Sequence, residues 1–322
     1  MKKFLVFLLA LALLLPSFCS CETNIEEKEK ITIVTTVFPE YDWVRQILGD
    51  TIDQVNLVFL TENGTDLHSY QPTVRDIATI SQCDILIHTG GISDAWIEDA
   101  LALDSNKDRR IIRLMDVLEE NERLTEQTLN HHENHDHDGH VHEFDEHVWL
   151  SPKLAPRFCK EITRVLCEVD PAEAETYQKN CQTYVSALQE LDKAFSLVAN
   201  RVENHTVIFA DRFPFSYLMH DYGISCISAF PGCSSETEAS FHTVVFLAEQ
   251  LDKLSLSHII VLESSDKRLA KTVIATANNK NTSIITMDSM QSISKREIER
   301  GETYINIMER NLDALSLALE AS

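Results

Sequence analysis

The chain is predicted to be an α/β protein of two lobes, each with a four-stranded, mainly parallel sheet and surrounding helices, joined by one long helix. Three observations lead to this fold class. Short β-branched runs alternate with longer helical patterns from residue 31 onward, which is typical of a parallel sheet. The same alternation begins again after residue 204. Between the two halves lies an unusually long amphipathic helical pattern.

The first 20 residues have the pattern of a secretory signal. Two lysines precede an apolar run over residues 4–15, which is too short for the roughly 20 residues that cross a bilayer core. We predict a signal peptide over residues 1–20, lipidation at Cys21, which follows a small residue as in a bacterial lipobox, and a polar tether over residues 21–30. The chain is therefore expected to be exported and lipid-anchored to the outer face of the cell membrane, or periplasmic.

Two sets of four buried strands are predicted. The first lobe, residues 31–169, has apolar, β-branched runs at residues 31–37, 55–60, 85–88 and 111–114. The second lobe, residues 204–322, has runs at residues 207–210, 224–229, 258–262 and 283–286. Helical patterns separate the runs, so each lobe is expected to form its own sheet.

The connecting helix is assigned to residues 170–203. Asp170 and Pro171 suit an N-cap and the first helical position. Apolar and aromatic residues then follow in steps of three and four from Tyr177 to Val198, which places them on one helix face. At ~1.5 Å per residue the helix would be roughly 48 Å long, long enough to brace both lobes.

A His-rich segment over residues 126–143 gives the strongest compositional signal. It has few apolar residues and is expected to form a mobile loop. Neutral imidazole is a ligand for zinc, copper and nickel, so the segment favours metal capture; an accidental polar insertion or a pH-responsive tract is the alternative. The histidines concerned are His131, His132, His135, His137, His140 and His142.

The net charge of −23 argues against nucleic acid, because a phosphate-binding surface needs clustered Lys and Arg. An acidic surface attracts cations instead, although solubility alone also explains the charge. Cys226 and Cys233 bracket a Pro-Gly turn and are the one local candidate pair for a disulfide. The chain has no CxxC motif, which disfavours a thiolate zinc site.

Two isolated histidines are the candidate structured ligands. His68 lies in G-T-D-L-H-S-Y-Q-P at residues 64–72, after the second predicted strand, and His147 lies in D-E-H-V-W-L-S-P at residues 145–152. Ligands in α/β proteins gather outside the carboxyl ends of strands. Both segments resemble signatures of the solute-binding lipoproteins of zinc and manganese ABC transporters, in the zinc-binding branch that carries a His-rich loop.

The resemblance implies one metal ion in a cleft between the lobes, held by two ligands from each lobe. His68 and His147 would be the first-lobe ligands. In the second lobe, Ala210 stands where zinc-binding relatives carry a histidine, so Asp211, one residue later, is the predicted substitute. Asp288 matches the family's fourth ligand. The reserve candidates are Glu263, Glu236 and Glu238.

The expected function is capture of Zn²⁺ and its delivery to a membrane permease, with the chain acting as a monomer and without nucleic acid. Mn²⁺ binding is the alternative within the same family, although zinc binds this ligand set more tightly. A metal-buffering or adhesin lipoprotein is a second alternative. A zinc-dependent hydrolase is disfavoured, because the sequence has no HExxH and no GxSxG motif,.

Overall fold

The computed structural model describes residues 30–102, 106–125, 144–202, 205–232 and 239–320. They contain two parallel sheets of four strands each, so the predicted fold class is confirmed. The first sheet consists of β1 (Ile31–Thr35), β2 (Val55–Phe59), β3 (Ile85–His88) and β4 (Arg110–Arg113). The second consists of β5 (Thr206–Phe213), β6 (Ser225–Pro231), β7 (His258–Leu262) and β8 (Ser283–Met287).

The two sheets share one strand order. It is β2-β1-β3-β4 in the first sheet and β6-β5-β7-β8 in the second, and all neighbouring strands pair in parallel. In the first sheet the chain therefore runs outward from the two central strands in opposite directions, from β1 to β2 and from β3 to β4. The second sheet repeats this arrangement, from β5 to β6 and from β7 to β8. Such a switch point opens a crevice at the carboxyl ends of the strands, where α/β proteins bind ligands.

Helices surround both sheets. They are α1 (Phe38–Leu48), α2 (Val74–Gln82), α3 (Ala95–Ala102), α4 (Ala155–Val169), α5 (Ala174–Ala199), α6 (Ser216–Asp221), α7 (Phe241–Lys253), α8 (Arg268–Thr276), α9 (Lys295–Glu299) and α10 (Tyr304–Glu320). None of the helices in the described ranges is both long and apolar enough to cross a membrane.

The long helix α5 is the predicted connecting helix. It follows a 3₁₀ turn over Pro171–Glu173 and ends at Ala199, four residues before the predicted end. The Asp170 side chain makes no cap hydrogen bond; its carboxylate accepts from the Tyr177 hydroxyl at 3.1 Å instead. The residues on the inner face of α5 are buried, and the helix packs against α1, α4 and α10.

The two lobes are joined by contacts besides α5. The indole of Trp149 donates to the carbonyl of Ser289 at 3.0 Å, and the Tyr304 hydroxyl donates to the carbonyl of Trp149 at 2.9 Å. The backbone N–H of Tyr304 also donates to Asp42 at 2.9 Å, and its ring meets Trp43 edge-on at 5.3 Å. These groups are buried, so separating the lobes would leave buried polar groups without partners.

The cysteines in the described ranges are not paired with one another. Cys159 and Cys181 are buried, and Cys167 is partly buried. Cys226 lies in β6, but Cys233 lies outside the described residues, so their pairing stays a prediction.

Three ionisable side chains are buried together behind the carboxyl edge of the first sheet. Glu40, His88 and Asp94 are each at most 1% exposed. Glu40 Oε2 accepts from the backbone N–H groups of Thr36 and Val37, at 2.9 and 3.2 Å. Burial, and then the charge of Asp94, raise the pKa of Glu40 from 4.5 to about 8. Glu40 is therefore held mainly as the neutral acid at neutral pH.

Replacing Glu40 by glutamine is expected to stabilise the protein above neutral pH. Because the folded-state pKa is raised, the stability contributed by neutral Glu40 is complete below about pH 4.5 and is lost as pH rises through about 8,. The amide stays neutral and keeps an acceptor oxygen, so Glu40→Gln should raise the free energy of unfolding by about 2 kcal/mol at pH 8.

Urea unfolding of the metal-free protein at pH 5 and pH 8 measures this difference. The exposed Glu175→Gln in α5 is the control and should change neither value. The same pH dependence in wild type and Glu40→Gln would show that Glu40 does not titrate as its burial predicts.

Candidate metal centre

His68, Glu146 and His147 come together at the carboxyl edge of the first sheet. One potential ligand atom from each lies within 4.8 Å of the others, the closest such group of His, Cys, Asp and Glu among the described residues. The two imidazoles stack with ring centroids 5.2 Å apart and planes inclined by 12°. The structure thus joins the two histidines that the sequence singled out, although 78 residues separate them.

His147 is oriented by the aspartate two residues before it. Asp145 Oδ1 accepts from the His147 backbone N–H at 2.8 Å and lies 2.9 Å from His147 Nδ1. Both side chains are almost completely buried. A hydrogen bond from Nδ1 to a carboxylate fixes the tautomer in which Nε2 is the metal-binding nitrogen.

His68 has the same local arrangement. Its backbone N–H donates to Asp66 Oδ1 at 2.9 Å, and Nδ1 lies 3.3 Å from that oxygen. Its Nε2 lies 3.6 Å from Glu146 Oε1, on the side of the ring that faces the group. An Asp-x-His sequence thus supplies both histidines of the centre, and in each the aspartate accepts from the backbone N–H of its histidine and lies beside the Nδ1 of the ring.

Glu146 is the member of the group that the sequence interpretation missed. It is completely buried. Its carboxylate accepts from the backbone N–H of Ser93 at 3.0 Å and forms a short hydrogen bond with the Ser93 hydroxyl. A buried carboxylate beside two imidazoles is suited to a divalent cation, which balances its charge. The sequence signal that could have identified Glu146 was its position directly before His147.

Two glycines allow the backbone to approach the group closely. A Cβ atom on Gly91 would lie 2.1 Å from Glu146 Oε2 and 2.3 Å from Glu146 Cβ. A Cβ atom on Gly232, which follows β6 in the second lobe, would lie 2.9 Å from His147 Cε1 and from the carbonyl oxygen of Phe213. Neither glycine has a positive φ, so close approach explains both. The second lobe therefore covers His147.

Asp211 lies in β5 of the second lobe. Its carboxylate accepts from the N–H of Arg212 at 2.9 Å and, more distantly, from the N–H of Leu262 at 3.4 Å. Ala210 is buried in a separate apolar cluster of the second lobe with Ile208 and Val244. The structure does not bring Asp211 into the group around His147, and its role as a ligand stays a prediction.

Asp288 and Glu263 lie together at the ends of β8 and β7. Asp288 Oδ1 accepts from the Met290 N–H at 2.8 Å, and burial, followed by the charge of Glu263, raises the pKa of Asp288. Glu263 accepts from the N–H and the hydroxyl of Ser289 at 3.0 and 2.7 Å, and burial raises its pKa as well. Neither belongs to the three-residue group, so their roles as metal ligands also stay predictions.

The remaining predicted residues lie outside the described ranges. They are Cys21, the six histidines of residues 131–142, Glu236 and Glu238. The described residues on the two sides of the His-rich segment contact each other. Thr125 and Phe144 form an isolated antiparallel bridge, and the Asp145 N–H donates to the Leu124 carbonyl at 2.8 Å. Leu124 and Thr125, which precede the segment, therefore lie beside Asp145 and Phe144, which follow it.

Comparison with known proteins places the chain in a family. The model of ZnuA, the periplasmic component A of zinc-uptake complexes, matches residues 33–318. The high-affinity zinc uptake system protein ZnuA of Bacillus subtilis is 30% identical over 325 residues, which cover 98% of this chain and 97% of that protein.

Streptococcal proteins are also similar. The zinc-binding lipoprotein AdcA of Streptococcus pneumoniae is 31% identical over 313 residues, which cover 95% of this chain and 60% of AdcA. This chain thus spans about 60% of the length of that relative. The crystal structure of the Zn(II)-bound ZnuA-like domain of AdcA superposes with a TM-score of 0.71 at 27% identity, covering 90% of this chain and 99% of that domain. The chain belongs to the ZnuA family of periplasmic zinc-uptake components.

Proposed function

We propose that this protein is the exported, lipid-anchored solute-binding component of an ABC importer, which captures Zn²⁺ in the cleft between its lobes and delivers it to a membrane permease. The observation that carries the proposal is the convergence of His68, Glu146 and His147, each held by hydrogen bonds to neighbouring groups. Family membership supports binding and release rather than catalysis.

The ligand set favours zinc. Two imidazole nitrogens and one carboxylate oxygen are common zinc ligands and leave a fourth tetrahedral position open. Manganese prefers more oxygen ligands and a higher coordination number, and it binds more weakly in the Irving–Williams order. Zn²⁺ is therefore the expected cargo, and Mn²⁺ is expected to bind the same site more weakly.

The second lobe is proposed to complete the site. Asp211 and Asp288 are the candidates for the fourth position, because Ala210 has no donor atom. Of the two Asp211 oxygens, Oδ1 accepts from the Arg212 N–H at 2.9 Å and Oδ2 has only a long contact with the Leu262 N–H, so Oδ2 is the proposed donor. Loss of zinc affinity in Asp211→Asn but not in Asp288→Asn would assign the position to Asp211, and the reverse result would assign it to Asp288.

The His-rich segment is proposed to capture zinc before it reaches the centre. The bridge between Thr125 and Phe144, the described residues on either side of the segment, supports this role, because Phe144 directly precedes Asp145. Histidines tethered at that point would raise the local concentration of zinc at the centre. Release requires a permease that binds the open protein more tightly than the closed one, because a partner that bound both equally would shift nothing. We propose that the protein acts as a monomer.

Competitive metal titration of the chain beginning after Cys21 tests the proposed function. The matched variant lacks residues 126–143 and joins Thr125 to Phe144, whose backbones already pair. Both proteins are expected to bind one zinc ion tightly and to prefer it to manganese. Loss of tight binding in the shortened variant would place the site in the His-rich segment and contradict the assignment to His68 and His147.

A further inference from the structure

Arg212 extends from the second lobe toward the metal centre. Regular alternation along β5 would place residue 212 on the same face as Ile208 and Ala210, which are buried in the apolar cluster of that lobe. The pairing of β5 with β6 shifts register between Phe209 and Arg212, and such an irregularity redirects the side chains that follow it. Arg212 consequently reaches a residue of the first lobe.

The residue that Arg212 contacts is Asp66. A guanidinium nitrogen of Arg212 lies 2.7 Å from Asp66 Oδ2, and the two side chains are 19% and 21% exposed. The other carboxylate oxygen, Oδ1, accepts from the His68 backbone N–H at 2.9 Å and lies 3.3 Å from His68 Nδ1. A continuous series of polar contacts therefore runs from the second lobe, through Asp66, to His68.

The other Asp-x-His pair of the centre is held differently. Asp145 is 1% exposed, so the surrounding protein restricts its carboxylate. Asp66 is partly exposed; the His68 backbone N–H holds its Oδ1, and Arg212 holds its Oδ2. An ion pair with an arginine restricts both the position and the rotation of a carboxylate. Arg212 thus supplies for Asp66 the restraint that burial supplies for Asp145.

Building on the proposed zinc-binding function, we propose that Arg212 is a positioning residue, which orients the metal ligand His68 through Asp66. The contact joins a residue of the second lobe to one of the first, so it forms only when the two lobes are close together. It therefore links the approach of the lobes to the orientation of His68. Because the guanidinium is paired with a carboxylate that lies between it and His68, the pair has almost no net charge. Arg212 therefore contributes orientation rather than repulsion of the cation.

Zinc affinities of single and double variants test this inference, in protein that lacks residues 126–143. Arg212→Met keeps much of the side-chain bulk but removes the charge and the donors. It is expected to weaken zinc binding about tenfold, the lower end of the range for loss of an outer-shell partner. Asp66→Asn should weaken zinc binding at least as much. Adding Arg212→Met to Asp66→Asn should cause no further loss, because Arg212 acts through Asp66.

Two further measurements separate positioning from a general structural effect. The absorption spectrum of bound Co²⁺ reports ligand geometry and should change in Arg212→Met and Asp66→Asn, whereas Arg212→Lys should restore most of the wild-type spectrum and affinity. Arg164→Met breaks a surface ion pair in α4, between Arg164 and Glu161 at 2.6 Å, and should change neither. Urea unfolding of the metal-free variants identifies any that fail to fold.

Zinc affinity in Arg212→Met that equals or exceeds that of the wild type would overturn the inference, because Arg212 would then either have no effect on zinc binding or repel the cation. Losses that multiply in the double variant would also overturn it, because Arg212 would not act through Asp66. Failure of the wild type to bind zinc would instead contradict the proposed function, so the two failures are distinguishable.

Discussion

Replacing His147 by alanine is expected to weaken zinc binding by about a thousandfold or more, since it removes a direct ligand and not only an outer-shell partner, whose loss costs about 10–100-fold. His147 is completely buried, and Gly232 of the second lobe closes over its ring. Water therefore has little room to replace the imidazole as a ligand in an otherwise unchanged site. The same substitution leaves Asp145 without its ring partner, which adds a cost to folding.

The measurement is competitive zinc titration in protein lacking residues 126–143, so that the histidines of that segment cannot substitute for the lost ligand. His68→Ala should also weaken binding strongly, because His68 faces the same group. The exposed His220→Ala in α6 is the matched control and should bind zinc as the wild type does. Unchanged affinity in both His147→Ala and His68→Ala would place the zinc site elsewhere in the molecule.

The fold was predictable from the sequence because its signals are local. Runs such as residues 259–262, Ile-Ile-Val-Leu, are apolar and mostly β-branched, which identifies a strand buried on both faces,. The steps of three and four along residues 177–198 identify one face of a long helix in the same way. Both signals survive in the structure because tertiary packing reinforces the local preference,.

The metal centre was predictable only in part. His68 and His147 lie in distinctive segments, and the resemblance to a known family identified them. Glu146 was missed, because an acidic residue beside a histidine has no periodic signal and the hydrogen bonds that hold its carboxylate come from Ser93, 53 residues earlier. Arg212 was missed because a register shift between β5 and β6 determines its direction. Contacts between segments that are distant in the chain determine the positions of Glu146 and Arg212. Such contacts cannot be read from a single sequence.

Gly91 is a third residue whose role cannot be read from the sequence. Its replacement by alanine is expected to have a large effect on both stability and zinc binding. Its backbone has φ −96° and ψ −164°, which alanine adopts without strain. Sequence alone therefore gives no reason for glycine at this position. The reason is spatial: a Cβ atom would lie 2.3 Å from Glu146 Cβ. Since that neighbour is the first atom of the side chain, a rotation of Glu146 cannot relieve the overlap, and the backbone must move.

Gly91→Ala is consequently expected to lower the free energy of unfolding by about 2–3 kcal/mol, the upper part of the range for overpacking. It should also weaken zinc binding about a hundredfold, because displacement of Glu146 moves one ligand and disturbs its hydrogen bonds with Ser93,. Urea unfolding of the metal-free protein gives the first value, and competitive titration gives the second.

Two other glycines provide matched comparisons. In Gly232→Ala the added methyl group would meet the edge of the His147 ring and the Phe213 carbonyl at 2.9 Å, so a smaller loss of stability, about 1 kcal/mol, and a roughly tenfold loss of zinc affinity are expected. Gly223 has open space around it but a φ of +66°. Gly223→Ala should therefore cost about 1 kcal/mol through backbone strain and leave zinc affinity unchanged. If Gly91→Ala cost no more stability than Gly223→Ala and left zinc affinity unchanged, the close approach of Gly91 to Glu146 would not shape the metal centre.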